Sequence, residues 1–480
     1  MLAGLVTEEN KRWWTLAAVA IGLFMIMLDN TVVNVALAAI QRDLGADLSE
    51  LEWIVSGYAL SFAAFMLIGG KLADAYGRRR LFVTGIAAFT VASLLCGLAG
   101  SGELLIGARV LQGVGAALMN PATLSIIAAT FPPRQRGTAI GIWAGVAALA
   151  LAIGPLVGGL LTDHAGWNWI FFVNVPVGLV AIAASFLLID ESRDPTHTRL
   201  DLPGLVTSAV GLFAVTYGLI EANTYGWGSP RIAGAFVVGV ASLAAFVALE
   251  RRQREPMLDL SLFRNRTYVG ANLVILLVAL AMFGVFFFVS LYMQNVLGFS
   301  AVETGAAFLP MTILIILLAP VAGRASDRFG SRGLITAGMV LVASQLILFS
   351  RLGPEATFWN LLPGLVLGGL GMSLTMTPST AAATRAVPVA KAGVGAAVLN
   401  AFRQVGGSIG IASMGAIMAG QLADPPTIPT FMDGFRQALL VATAIAVAGA
   451  VVAAVLIRPH DTTAEPHGQA SLSEPVRGVS

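Results

Sequence analysis

The sequence predicts an all-α membrane protein of fourteen spans, and three observations predict it. Of 480 residues, 57% are hydrophobic and 11% charged, against roughly 25% charged in an ordinary soluble domain. The apolar residues gather in stretches close to the ~20 residues a helix needs to cross a bilayer. The basic residues crowd into alternate loops between those stretches. With a mean hydropathy of +0.83, too little charge remains to wet the surface of a soluble chain. A single cysteine, Cys96, excludes an internal disulfide, and the four histidines are scattered without metal-ligand spacing. Barrel strands are excluded because the runs are too long and do not alternate in polarity.

Taken in order, the spans fall near residues 15–40, 53–72, 81–99, 103–128, 138–162, 169–189 and 203–221. They continue near 231–249, 268–292, 303–323, 334–350, 359–383, 394–418 and 435–457. The first follows Lys11 and Arg12, but its apolar run is too long for a signal peptide and reads as a retained helix. With the N-terminus in the cytoplasm, 22 of the 28 Lys and Arg residues fall on the cytoplasmic side. Only Arg42, Arg231, Arg351 and Arg436 fall outside, while Arg109 and Arg403 lie within spans. That asymmetry is the one expected of cytoplasmic loops, and it puts both termini inside.

The chain repeats itself. Gly70, Asp74, Gly77 and Arg79, after the second span, recur at Gly323, Asp327, Gly330 and Arg332 after the tenth. Gly113, Gly115, Gly137 and Gly154 recur as Gly369, Gly371, Gly393 and Gly410. Both copies start from the same side, so the repeat is parallel, about an axis along the membrane normal. The expected organisation is a cytoplasmic N-terminus (1–14), a six-helix bundle (15–189), a linker carrying spans seven and eight (190–267), a second six-helix bundle (268–457) and a disordered cytoplasmic tail (458–480).

Charges inside the spans carry the functional reading, since each costs about 2.5–3.5 kcal/mol on insertion scales. Asp29 is the one acid deep in a span. Asn30 and Asn34 share its helix face, which predicts that the first span turns that face to a cavity. Asp29 lies about 16 Å, and Arg109 about 9 Å, below the outer ends of their spans at ~1.5 Å per residue. A long arginine side chain bridges that difference if the first and fourth spans are neighbours. Burial favours a protonated carboxyl and a nearby arginine an ionised one, so joining or separating the pair changes proton affinity; the alternative is a static pair that fixes packing. Arg403 has no matching acid in its half and serves either packing or a substrate contact.

Asp74 follows a helix C-terminus, where the macrodipole disfavours it, and calls for Arg78, Arg134 or Arg136 as partner. Its repeat at Asp327 points to a charge-linked latch between helices. In the fifth span Gly154 and Gly158 form a small-residue face for close packing, and Pro155 bends the helix. Met and aromatic residues in the ninth and twelfth spans suit an adaptable apolar site or plain core packing; Phe283, Phe287, Met372 and Met376 are the candidates. Cys96 reads as a small buried hydrophobe. No Walker A pattern and no zinc spacing occurs, which leaves an ion gradient as the energy source.

These motifs resemble those of the major facilitator superfamily, and within it the fourteen-span drug:proton antiporters of the EmrB/QacA type. Gly70 to Leu81, with Gly70, Asp74, Gly77, Arg78 and Arg79, resembles the loop motif between spans two and three, echoed by Asp327, Arg328 and Gly330. Arg109-Val-Leu-Gln112-Gly113 resembles the proton-transfer motif, and Gly154-Pro155-Leu-Val-Gly158-Gly159 the antiporter signature. The first-span run Leu28 to Ala36, Trp169 to Pro176 and the Gly226-Trp227 loop resemble the fourteen-span branch. The chain departs from the usual pattern at Ala38, Ala75, Ala150 and Asn168.

The resemblance implies two six-helix bundles rocking about a central cavity and proton-driven export of hydrophobic, often cationic, compounds. Asp29 and Arg109 would couple the proton, and Asp74 with its arginines would gate the cytoplasmic face. Asn30, Asn34, Gln112, Phe283, Phe287, Met372, Met376 and Arg403 would line the substrate cavity. The expected partners are small hydrophobic substrates, protons and the bilayer of the cytoplasmic membrane, with no nucleic acid and no cofactor, in a monomer. The alternatives are an exporter dedicated to one metabolite or antibiotic and, with less support, a membrane-embedded enzyme or a channel.

Overall fold

Backbone in hydrocarbon must satisfy its own hydrogen bonds, and this chain does so with helices. The computed structural model describes residues 7, 10–193, 201–253, 256, 258–388, 392–422 and 427–458. The expected disordered tail beyond Arg458 and most of the N-terminal segment lie outside the described residues. The first group of helices is α1 (Lys11–Leu44), α2 (Leu48–Tyr76), α3 (Arg78–Gly97), α4 (Gly102–Thr130), α5 (Pro133–Ala165), α6 (Trp169–Phe172) and α7 (Asn174–Leu188). A middle group follows, α8 (Leu202–Ile220), α9 (Ala222–Tyr225) and α10 (Pro230–Arg252). The last group is α11 (Arg266–Asn295), α12 (Ala301–Ala307), α13 (Leu309–Phe329), α14 (Ser331–Ser350), α15 (Phe358–Arg385), α16 (Ala392–Ala419) and α17 (Ile428–Leu456).

Each expected apolar stretch falls on a helix, and most helices outrun it. Polar residues carry them on: Asp47 with Glu50, Ser300 with Glu303 and Thr427 with Thr430 form capping boxes that start α2, α12 and α17 before the apolar run begins. Two stretches are broken. The sixth divides at Val173 into α6 and α7, and the tenth at Phe308 into α12 and α13; Pro176 and Pro310 lie just beyond the breaks, where each withholds an amide. Counting each broken pair as one span, twelve helices among the described residues are long and apolar enough to cross a membrane. The bent α2, whose parts Leu48–Met66 and Ile68–Tyr76 meet at 50°, raises the number to as many as thirteen. The expectation of fourteen is thus met in part; α16 occupies the thirteenth stretch but is not among those counted.

Side-chain contacts sort the helix ends into two layers. At the terminal end, Thr15 Oγ1 donates to Leu188 O at 2.6 Å, Lys71 Nζ to Pro256 O at 2.9 Å and Tyr268 Oη to Gly395 O at 3.3 Å. At the far end, Trp167 Nε1 donates to Asp43 at 2.7 Å, Asn168 to Gly97 O at 2.7 Å and Tyr292 Oη to Gly353 O at 2.6 Å.

Helices α1 to α7 pack chiefly on one another, as do α11 and α13 to α17, while α12 packs on α5, and α8 pairs with α10 and leans on α2 and α16. Small residues let these helices approach. A methyl group at Gly85 would stand 2.9 Å from Gly115 O, and one at Gly115 would stand 2.6 Å from Phe89 N. Such backbone proximity replaces the hydrophobic drive that lipid cannot supply.

Candidate functional site

Asp29 and Arg109 meet inside the first bundle. Arg109 Nη1 lies 2.5 Å from Asp29 Oδ2, with each side chain 1% exposed. Gln112, one turn on from Arg109, donates from Nε2 to Asp29 Oδ1 at 2.9 Å and to Ser93 Oγ at 2.8 Å, and its Oε1 accepts from Arg109 at 2.6 Å. Arg109 Nε donates to Ile54 O of α2 at 3.0 Å, and the guanidinium lies 4.2 Å from the centre of the Tyr58 ring. Helices α1, α2, α3 and α4 therefore share one polar knot in an otherwise apolar core. A buried pair survives only with such extra hydrogen bonds, because desolvation otherwise outweighs its attraction.

The knot corrects two readings of the sequence. Asp29 faces α4 within the bundle, not a cavity shared with Asn30 and Asn34; neighbours one position apart on a helix diverge by about 100°. Asn30 and Asn34 bond back to their own helix at Ile26 O and Asn30 O. Gln112, expected to line the substrate cavity, is 0% exposed and belongs to the ion pair. Of the other cavity candidates, Phe287 is buried in the core and meets Phe288 edge to face. Phe283 packs against Gly407 of α16. Met376 lines a cleft of about 570 Å³ at the terminal end with Asp327, Thr380 and Arg385, and Met372 is half-buried. Arg403 is half-buried in α16, within electrostatic reach of Tyr58 of α2.

The loop after α2 is tightly built. Asp74 pairs with Arg78 at 2.9 Å, one of the three expected arginines. Gly77 has φ +114°, a backbone that side chains avoid, and a methyl group there would meet Glu191 Oε1 at 2.6 Å. The Glu191 carboxylate accepts from the amides of Arg79 and Arg80 at 3.1 and 3.2 Å, capping α3. Arg79 reaches Ile189 O at 3.2 Å. In the second copy Gly330 has φ +82° and Asp327 pairs with Arg385 of α15 at 2.7 Å, so both charges link two helices, Asp74 joining α2 to α3 and Asp327 joining α13 to α15. Arg328 lies over the Phe329 ring.

The antiporter-like glycines pack on both bundles. A methyl group at Gly154 would collide with Thr31, and one at Gly158 would meet Val32 O of α1 at 2.7 Å. Gly159 faces Ala301 and Val302 of α12, and Gly305 of α12 faces Pro155. Asp163, at the end of α5, accepts from the amides of Ala301 and Val302 at 3.2 and 2.8 Å. Helix α11 adds bonds to α1: Ser290 Oγ to Asn34 O at 2.8 Å and Gln294 Nε2 to Val35 O at 2.9 Å. These contacts between the bundles all join the halves of the helices nearer the far end.

A further acid lies at that end. Glu52 of α2 is 2% exposed. It escaped sequence reading because the apolar run of the second span begins at Trp53, whereas the capping box starts the helix at Leu48. Beside it, Ser49 Oγ and Trp53 Nε1 donate to Glu221 Oε1 at 2.9 and 3.2 Å, and Asn223 Nδ2 donates to Ala416 O of α16 at 2.6 Å. Trp53 also stacks on Phe213 of α8 at 6.5 Å.

Two helical bundles, the first built around a buried ion pair, fit a membrane transporter. The model of the Major Facilitator Superfamily matches residues 19–411, and the chain belongs to that family. It is 39% identical to the tetracenomycin C resistance and export protein of Streptomyces glaucescens, over 90% of this chain and 80% of that one. It is 38% identical to a puromycin resistance protein of Streptomyces alboniger, over 97% and 95%. A multidrug resistance protein, Stp, of Mycobacterium tuberculosis is 37% identical over 85% and 76%. Among solved structures, an inward-facing bacterial homolog of the human lysosomal transporter Spinster shares the fold with a TM-score of 0.65, at 17% identity over 95% and 98%. A peptide transporter, POT, in complex with sulfate does so at 0.66, with 16% identity over 92% and 95%.

Proposed function

We propose that this chain is a proton-coupled exporter of hydrophobic drugs or antibiotics, working by alternating access in the cytoplasmic membrane. The observation that carries the reading is the Asp29–Arg109–Gln112 knot in a chain whose relatives are named for drug resistance and export. On this reading the terminal end is cytoplasmic, as the basic loops suggest, and the far end is outer. The bent α2 and α16 then complete fourteen spans around a monomer, and the energy source is the proton gradient without a cofactor.

Protonation of Asp29 removes the charge that Arg109 pairs with, leaving the guanidinium to Gln112, Ile54 O and the Tyr58 ring. The tie of α1 to α4 weakens while the tie of α4 to α2 persists. Asn34, about 7.5 Å farther along α1 at ~1.5 Å per residue, bonds α11, so a shift of α1 reaches the contact between the bundles. Proton binding thus acts on the closed end through one helix.

The test is drug uptake into inverted vesicles under an imposed pH gradient. Wild type is expected to concentrate substrate and release protons; Asp29→Asn is expected to lose the dependence on the gradient. Normal gradient-driven uptake by Asp29→Asn would overturn the assignment. A second reading, an exporter dedicated to one antibiotic, is favoured by relatives named for single compounds, among them methylenomycin A. Susceptibility profiling in a hypersensitive host separates the two: protection against one compound alone supports dedication.

A further inference from the structure

Glu52 is held in a way that the Asp29 mechanism does not use. Its Oε2 is buried with no hydrogen-bond partner. Its other oxygen lies directly against Gly415 of α16, leaving no room there for a methyl group. The charges that bear on it are Asp47, at the start of its own helix, and Glu221, at the end of α8. Both are acidic, and the facing surface of α16 is the uncharged Gly415. Among the described residues, an ionised carboxylate in such a place has almost no solvent exposure, no hydrogen bond on Oε2 and no cation among the charges that bear on it. A protonated one avoids most of that cost.

The position is also mechanical. Glu52 and Gly415 belong to different bundles and meet at the outer end, among the contacts that close it. On one side Ser49 and Trp53 hold Glu221 of the middle helices, and on the other Asn223 holds Ala416. The turn between α8 and α10 therefore bridges the two bundles around the buried acid. If α2 and α16 part, water reaches Glu52, the carboxyl ionises, and Glu221 and Asp47 repel it.

We infer that Glu52 is a second proton-binding group of this transporter, occupied when the outer end is closed and emptied when that end opens. Uptake of a proton from outside would close the outer end. By linkage, closure raises affinity for the proton as much as the proton favours closure. The inference rests on the proton-coupled reading above and adds a separate site to it, with the middle helices as its frame.

The experiment measures the outer gap directly in nanodiscs, without transport. Spin labels go on cysteines replacing the exposed Glu103 and Glu355, at the outer ends of the two bundles; native Cys96 is buried. Double electron–electron resonance distances are recorded at pH 5 and pH 9. Wild type is expected to gain a long-distance population at pH 9. Glu52→Gln, which mimics the neutral acid, is expected to stay short at both, its long-distance fraction at pH 9 falling at least about fivefold. Gly415→Ala, which pushes against the carboxyl, is expected to show the long distance already at pH 5. A wild-type pH response in Glu52→Gln, or no pH response in wild type, would sink the inference. Failure of the Asp29 reading shows up in vesicle uptake instead, where Asp29→Asn behaves as wild type, so the two failures are distinguishable.

Discussion

Arg109 holds more partners than Asp29 does, and this predicts an asymmetry. Arg109→Ala strips the carboxylate of its charge partner in a site 1% exposed, which costs about 3–5 kcal/mol for a broken buried pair. Asp29→Asn leaves the guanidinium bonded to Ile54 O and Gln112 and stacked over Tyr58, so its loss is smaller. Thermal unfolding in detergent is expected to rank wild type, Asp29→Asn and Arg109→Ala in falling order. The double variant is expected to lie above Arg109→Ala, since it no longer buries an unpaired charge. At this scale, Asp29 and Arg109 were legible because charges in apolar runs are scarce. Their pairing followed from helix depth. Gln112 and Asn34 were misplaced because a helical face shows which residues share a direction, not which neighbour lies there. Glu52 was invisible while the start of its helix was judged from hydropathy, since a cap extends a helix through polar residues.

Helix α5 is shaped by what its glycines touch, and they are not equivalent. Gly158→Val would press on Val32 O, 2.7 Å from the added carbon, and overpacking of that kind costs about 1–3 kcal/mol. Gly141 has nothing within 4 Å, so Gly141→Ala is expected to stabilise by roughly 0.5–1 kcal/mol. Melting temperatures of the two variants check the contrast. The middle helices carry a pH prediction. Burial alone would push Asp201 up, but bonds to Glu250, to Gln253 Nε2 at 2.5 Å and to the Gly204 amide at 2.7 Å, with the Lys71 charge, hold its carboxyl below the ordinary value. A depressed acid contributes stability above its unfolded pKa and loses it as pH falls through the folded one. Hydrogen exchange at the start of α8 is therefore expected to quicken below about pH 4, and Asp201→Asn is expected to lose that acid step. Twelve or thirteen of the fourteen expected spans were legible from hydropathy. The breaks at Val173 and Phe308 were not, because a proline near the start of a helix looks the same in sequence as one that bends it.

Over the whole molecule, the far ends of the two bundles also meet through backbone and polar groups on α1, α5, α11 and α12, where single changes should shift the balance between states. Asp163→Asn weakens the carboxylate cap that joins α5 to α12. Such charge-assisted bonds contribute about 1.5–3 kcal/mol, so cross-linking of paired cysteines between the end of α5 and the start of α12 is expected to fall. The parallel repeat of the loop motif announced two related halves. It could not announce that the copies pair differently, Asp74 to the start of the next helix and Asp327 across to α15, since a repeat preserves residue types and not neighbours.

The bridge between α8 and α10 also supplies an optical reporter native to the chain. Trp53 stacks on Phe213 and donates to Glu221, one residue from Glu52. Parting of α2 and α16 lets water reach an indole now shielded on one face, so its emission shifts to the red. Subtracting the spectrum of Trp53→Phe from that of wild type isolates this one ring among the eight tryptophans. The opening of the transporter can then be followed during turnover by its own fluorescence, with no label attached.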